Sequence, residues 1–127
     1  MNVKRTEKGW AGHFVAASSC LFRRHTMLEF ENITIAVSTV GNYHPTFPGA
    51  KEIEEIGAWR YFETMAFHCE EATEKNPYRD PNIGRQISFN SEWAISEPWK
   101  ELQANDMHET VVNEITAGLV SGNKYEN

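Results

Sequence analysis

The chain has 127 residues, the length of one domain, with 40% hydrophobic and 24% charged residues. Seven Phe, four Trp and four Tyr exclude a disordered chain, and no apolar run reaches the ~20 residues that a membrane-crossing helix needs. Twelve Lys and Arg against eighteen Asp and Glu leave a net charge of −6. That is the wrong sign for a general DNA or RNA binder, whose affinity comes largely from neutralising phosphates.

Residues 1–127 read as one unit, β-rich over 9–90 and helical over 97–121. Residues 10–17 predict a first strand. The stretch 21–30 puts Phe22, Thr26, Leu28 and Phe30 on one parity. The stretch 33–39 puts Ile33, Ile35 and Val37 on one face and small polar residues on the other. Glu31-Asn32 joins the two as a tight hairpin, with Asn32 suited to a positive φ. Gly41, Pro45, Pro48 and Gly49 mark 41–50 as a loop. Further strands are predicted over 60–68 and 83–89, with a polar connection over 70–81. Met107, Val111, Ile115 and Leu119 recur every four residues, widened by Val112, which is the stripe of an amphipathic helix. Asp106 with Glu109 resembles a capping box, Gly122 suits a C-terminal stop, and Pro98 can open a shorter helical turn before them. The fold class is therefore α+β: an antiparallel sheet of about five or six strands packed with C-terminal helix.

Three charges contradict the parity of their own strands. Arg85 stands with Ile83, Ile87 and Phe89. Glu63 stands with Tyr61, Met65 and Phe67, and Arg24 with Phe22, Thr26, Leu28 and Phe30. A charge on a buried face is costly unless it is paired or meets a ligand. One reading is a Glu63–Arg85 ion pair with Arg24 snorkelling at a strand end. The other is a guanidinium-lined cavity for a phosphate-bearing ligand, with Arg85 on the phosphate. The aromatic run Trp59-Arg60-Tyr61-Phe62-Glu63 fits either base stacking or core filling.

The five histidines are scattered without zinc-motif spacing, so no metal site is expected. Cys20 and Cys69 form no CxxC pair and read as small buried hydrophobes in a reducing compartment, which with the weak N-terminal apolar stretch places the protein in the cytoplasm. No serine elbow or phosphate loop is present. Asp106 and His108 are the one candidate acid–base pair, although Asp106 also fits a helix cap.

The runs Gly9-Trp10-Ala11-Gly12-His13-Phe14, Cys20-Leu21-Phe22-Arg23-Arg24, Val37-Ser38-Thr39-Val40-Gly41, Arg60-Tyr61-Phe62-Glu63-Thr64-Met65-Ala66-Phe67-His68 and Asn105-Asp106-Met107-His108-Glu109 resemble the first family of phage-encoded Thoeris anti-defence proteins, from Gly9 to the end of the tail helix. The resemblance implies a β-sheet with C-terminal helices and a sponge activity. Such a protein binds, without cleaving, the cyclic ADP-ribose isomers that TIR-domain defence enzymes make. It further implies assembly from dimers, ligand pockets between protomers and, in some members, separate sites for cyclic oligonucleotide signals. No cofactor or metal is implied. The ligand-binding set expected on this basis is Arg85, Arg24, Arg23 and Arg60 for the pyrophosphate and Trp59, Tyr61 and Phe62 for the adenine. Thr39, Asn105 and His108, which lie in the quoted runs, complete it. Two alternatives stand beside it. One is an inhibitor that masks a host protein with acidic residues such as Glu52, Glu54, Glu55, Glu70, Glu71 and Glu74. The other is a small nucleotide hydrolase using Asp106 and His108.

Overall fold

The computed structural model describes residues 2–8, 13, 17–57, 59–70, 74, 81–87 and 93–126. Among them run β1 (Lys4–Glu7), β2 (Cys20–Phe30), β3 (Ile33–Tyr43), β4 (Phe62–Cys69), β5 (Pro81–Gln86), β6 (Ala94–Ile95) and α1 (Glu101–Val120). The strands form one antiparallel sheet in the order β1-β2-β3-β4-β5, with β6 also pairing β4. The α+β class is as expected.

Cross-strand register sorts the side chains, because residues directly opposite one another share a face. Thr26, Val37 and Ala66 stand in one row, Leu28 with Ile35 in the next, and Arg24, Thr39 and Thr64 in a third. This face packs against Val111, Val112, Ile115 and Leu119 of α1, the stripe visible in the sequence, to form the main core. The reverse face carries the rows Met27–Ala36–Phe67, His25–Ser38–Met65 and Arg23–Val40–Glu63. It is buried too: Met27, Ala36, Phe67, His25, Ser38, Val40 and Glu63 are all at most 8% exposed. The small polar residues of β3 therefore do not face water. His13 covers this side by packing on Phe67, and Ile56 by packing on Cys20 and Val40.

Several local expectations are corrected. The first described strand is β1, whereas the strand expected over 10–17 falls almost wholly outside the described residues, and Ala17–Ser19 is a 3₁₀ turn. In the β2–β3 hairpin the left-handed residue is Glu31, with φ 55, not Asn32. β3 continues through Gly41 to Tyr43, so the loop begins at His44. Gly41 pairs within the strand with Phe22 and Phe62, and only a glycine fits there because the Phe62 ring lies where a side chain would be. β5 ends at Gln86, and much of the 70–81 connection lies outside the described residues.

The helix runs unbroken from Glu101, so Asp106 and Glu109 lie inside it and do not cap it, and 96–99 is not helical. Its start is tied down by Asn42, whose Oδ1 accepts the Trp99 N–H at 2.8 Å and whose amide donates to Glu101. Gly122, at φ 96, ends it as expected, with N–H bonds from Gly122 to Leu119 and from Asn123 to Gly118. Among the described residues no helix is long and apolar enough to cross a membrane.

Candidate functional site

Four of the expected ligand residues, Arg24, Thr39, Asn105 and His108, are brought together where β1 and β2 meet α1. β3 and β4 supply the floor: Thr39 and Thr64 face each other across the ladder with their hydroxyls 2.6 Å apart. His108 descends from α1 with no exposed surface, its Nδ1 2.7 Å from the Thr39 hydroxyl and its Nε2 2.7 Å from the Thr26 hydroxyl. Thr26 in turn donates to Oε2 of Glu7 on β1.

The carboxylate orders every proton in this chain, since an ionised carboxylate only accepts. Thr26 gives its hydroxyl proton to Glu7, so the proton on His108 sits at Nε2 and is donated to Thr26. Nδ1 then accepts from Thr39, and Thr39 accepts from Thr64. One neutral imidazole and three hydroxyls form a one-way series pointing at the Glu7 carboxylate, and each buried polar group is satisfied. Burial first, and the Arg24 charge second, push the His108 pKa down to about 4, which keeps it neutral.

Above the threonines the network is ionic. Glu7 Oε1 receives Arg5 at 2.8 Å and also Arg24. Glu109 of α1 receives both oxygens' worth of Arg5, at 2.7 and 2.8 Å, and Arg24 at 2.9 Å. Arg24 donates further to Asn105 Oδ1 at 2.8 Å. The Arg5 hydrogen bond, ahead of every other influence, holds the Glu109 carboxyl down at about 2. Partial burial pulls Glu7 upward, but Thr26, Arg5 and Arg24 outweigh it and its pKa lies below the ordinary value. Two cations meet two anions, so the cluster is compensated within the chain. Arg24, out of place by parity, is an ion-pair residue joining β2 to β1 and α1.

The other expected residues do not join this cluster. Glu63 is paired not with Arg85 but with His13 Nε2 at 3.0 Å and Arg60 Nε at 3.5 Å. Arg85 is exposed on β5 while Ile87 is buried, because a register shift between β4 and β5 breaks the strict alternation assumed from the sequence. Phe62 is fully buried and belongs to the core, whereas Tyr61 is half-buried. Trp59 is 82% exposed and held at φ 64. Arg23 and Arg60 lie toward the reverse face, half-buried.

That reverse face holds a second polar relay that the sequence conceals. His13 Nδ1 is 2.9 Å from Ser38 Oγ, and its backbone N–H donates to the same oxygen at 3.2 Å. Ser38, His13 and Glu63 thus follow the order of a nucleophile–base–carboxylate relay. Ser38 is only 2% exposed in mid-strand, however, and its oxygen is already engaged by the His13 backbone. The trio works as a clasp holding residue 13 on the sheet. Glu63, the intruder on its strand, was the one sequence signal of it.

Asp106 and His108 are not an acid–base pair, since His108 is sealed and Asp106 is exposed on another side of α1. Asp106 instead lines a groove of about 300 Å³ between β6 and α1 with Trp93, Met107, Thr110 and Glu114. Burial pushes the Cys20 thiol up to about 11, which leaves it inert at neutral pH. Among the described residues no group of His, Cys, Asp and Glu is placed to hold a metal ion. Compared with family models, curated proteins and solved structures, the chain matches none.

Proposed function

We propose that the protein is a non-enzymatic phage immune-evasion protein that binds and sequesters a cyclic ADP-ribose-type signal made by TIR-domain defence enzymes. The reading rests on the sequence resemblance, and one structural observation carries it furthest. Arg5 and Arg24 stand together at the surface, their guanidinium donors directed at carboxylate oxygens in the planar fork that phosphate oxygens also satisfy. Asn105 borders them, and Trp59 offers a separate exposed ring for a base. A sponge of this kind needs no nucleophile, general base or metal. In this reading the protein acts in the host cytoplasm as a homo-oligomer built from dimers, without a cofactor.

The test is uptake and release. Purified protein is mixed with a cyclic ADP-ribose isomer, freed of unbound ligand, heated, and the supernatant analysed. Intact ligand returned after heating is the expected result. A new product would assign a hydrolase instead, and no uptake would leave an acidic protein that masks a host partner.

A further inference from the structure

We infer that the groove between β6 and α1 is a docking site for an extended segment of a partner protein, which adds to the sheet alongside β6 and carries lysine or arginine at alternate positions. The inference stands apart from the nucleotide reading, since the groove lies on the other flank of α1 from Arg24, Asn105 and Glu109.

The sheet edge supplies the first argument. β6 pairs β4 through Phe62–Ile95 and Glu63–Ala94, and among the described residues no strand pairs with its outer side. Thr64 donates its backbone N–H to the Trp93 carbonyl at 2.9 Å, and Tyr61 donates its own to the Ile95 carbonyl at 2.8 Å. Backbone groups alternate sides along a strand, so the N–H and C=O of Ala94, between these two, point away from β4. They are the donor and acceptor that an incoming strand uses. β6 itself carries no charge to deter such pairing, whereas β1 at the opposite edge carries Lys4, Arg5 and Glu7.

The groove decides which strand fits. Trp93 and Ile95 flank Ala94 and face α1, and residues opposite one another across a ladder share a face. An added residue paired with Ala94 therefore has neighbours on both sides whose side chains enter the groove. Trp93, Ile95, Met107 and Val111 give the groove an apolar floor, and Asp106 and Glu114 an acidic wall. Both carboxylates are exposed and form no ion pair with a described residue, unlike Glu7, Glu63, Glu97 and Glu109. Lysine and arginine match this lining, because the apolar stem lies along the floor while the charged head reaches the wall. An acidic strand would meet like charges and be rejected.

The probe is an acetylated and amidated Lys-Val-Lys-Val-Lys peptide, titrated calorimetrically against the whole chain. Saturable binding is expected, together with slower hydrogen exchange at the Ala94 amide. The same peptide with both valine amides N-methylated keeps its charge but cannot pair with Ala94, and should bind about tenfold more weakly. A Glu-Val-Glu-Val-Glu peptide should show no binding. Asp106→Asn combined with Glu114→Gln, both exposed and nearly isosteric, should weaken the lysine peptide about fivefold, the scale of two exposed ion pairs. Absence of binding by the lysine peptide would overturn the inference. So would undiminished binding of the N-methylated peptide, which would mark a purely ionic attraction, or equal binding by the folded double variant. Unchanged exchange at Ala94 under saturating peptide would overturn it as well. Should the double variant fail to fold, the peptide series and the Ala94 exchange decide. None of these readings depends on whether cyclic ADP-ribose is taken up.

Discussion

His108 has both ring nitrogens on threonine hydroxyls and no contact with solvent. A histidine in such a place resists protonation, and this fixes the sign of a pH effect. The unfolded chain binds the proton near 6.5 and the folded chain only near 4. Between those values the unfolded state holds more protons, so stability is full above 6.5 and falls as the pH drops toward 4. The loss amounts to about 3 kcal/mol for a shift of this size. Glu109 extends it. Its carboxylate, held at about 2 against an ordinary 4.5, contributes stability above 4.5 that disappears as the pH falls through 2. With 37% of its side chain exposed, screening keeps that share small. Urea unfolding across this range should show the midpoint dropping between pH 6.5 and 4 in the wild type. His108→Gln should lose most of that slope. A wild-type slope equal to that of the variant would show that His108 is not what titrates.

At the scale of elements, β3 carries the architecture, because it pairs β2 over nearly its whole length and lies under both α1 and the clasp of His13. Gly41 lets its last turn of pairing form. A Cβ there would sit 2.0 Å from Phe62 Cδ1, and the ring is fully buried with no room to swing. Gly41→Ala should therefore cost about 1–3 kcal/mol, the usual range for overpacking. Gly118 offers a contrast. Its added methyl would lie 1.8 Å from the Tyr125 hydroxyl, but that side chain is half-buried on the tail and can move aside. Chemical denaturation of the two variants should rank Gly41→Ala as clearly the more damaging. The opposite order would mean that the tail, rather than the β3–β4 contact, is the rigid part.

Over the whole molecule, α1 packs on one sheet face and His13 and Ile56 on the other, while β1 forms an open edge guarded by exposed Lys4, Arg5 and Glu7. Large apolar groups nonetheless reach solvent where β2 and β4 begin, β3 ends and α1 starts. Leu21, Trp59, Trp99 and Leu102 are 59%, 82%, 50% and 81% exposed. Trp59 and Trp99 are also held at positive φ, a conformation that costs an ordinary residue about 1 kcal/mol or more. Exposed apolar groups of this size favour self-association. Light scattering at micromolar concentration should give a species larger than one chain, built on dimers, and Trp59→Ser with Leu102→Ser should lower its mass. A monomeric wild type would refute this.

What the sequence determined by itself was periodic. The alternation of Ile33, Ile35 and Val37, the four-residue recurrence from Met107 to Leu119, and the stop at Gly122 are local patterns set by strand and helix geometry, so strand, helix and fold class could be read directly. Arg24 and Glu63 were legible as misfits for the same reason, since parity reveals a charge that faces the wrong way. Their partners were not legible. Glu63 meets His13 across 50 positions, and His108 meets Thr26 across 82. Which of several acids and bases come together depends on strand register and on the seat of α1. Those are settled by packing the apolar rows against one another, a three-dimensional condition that leaves no period in the chain. The same condition moved Arg85 to the surface through a register shift and turned Asp106 and Glu109 from cap residues into groove and ion-pair residues.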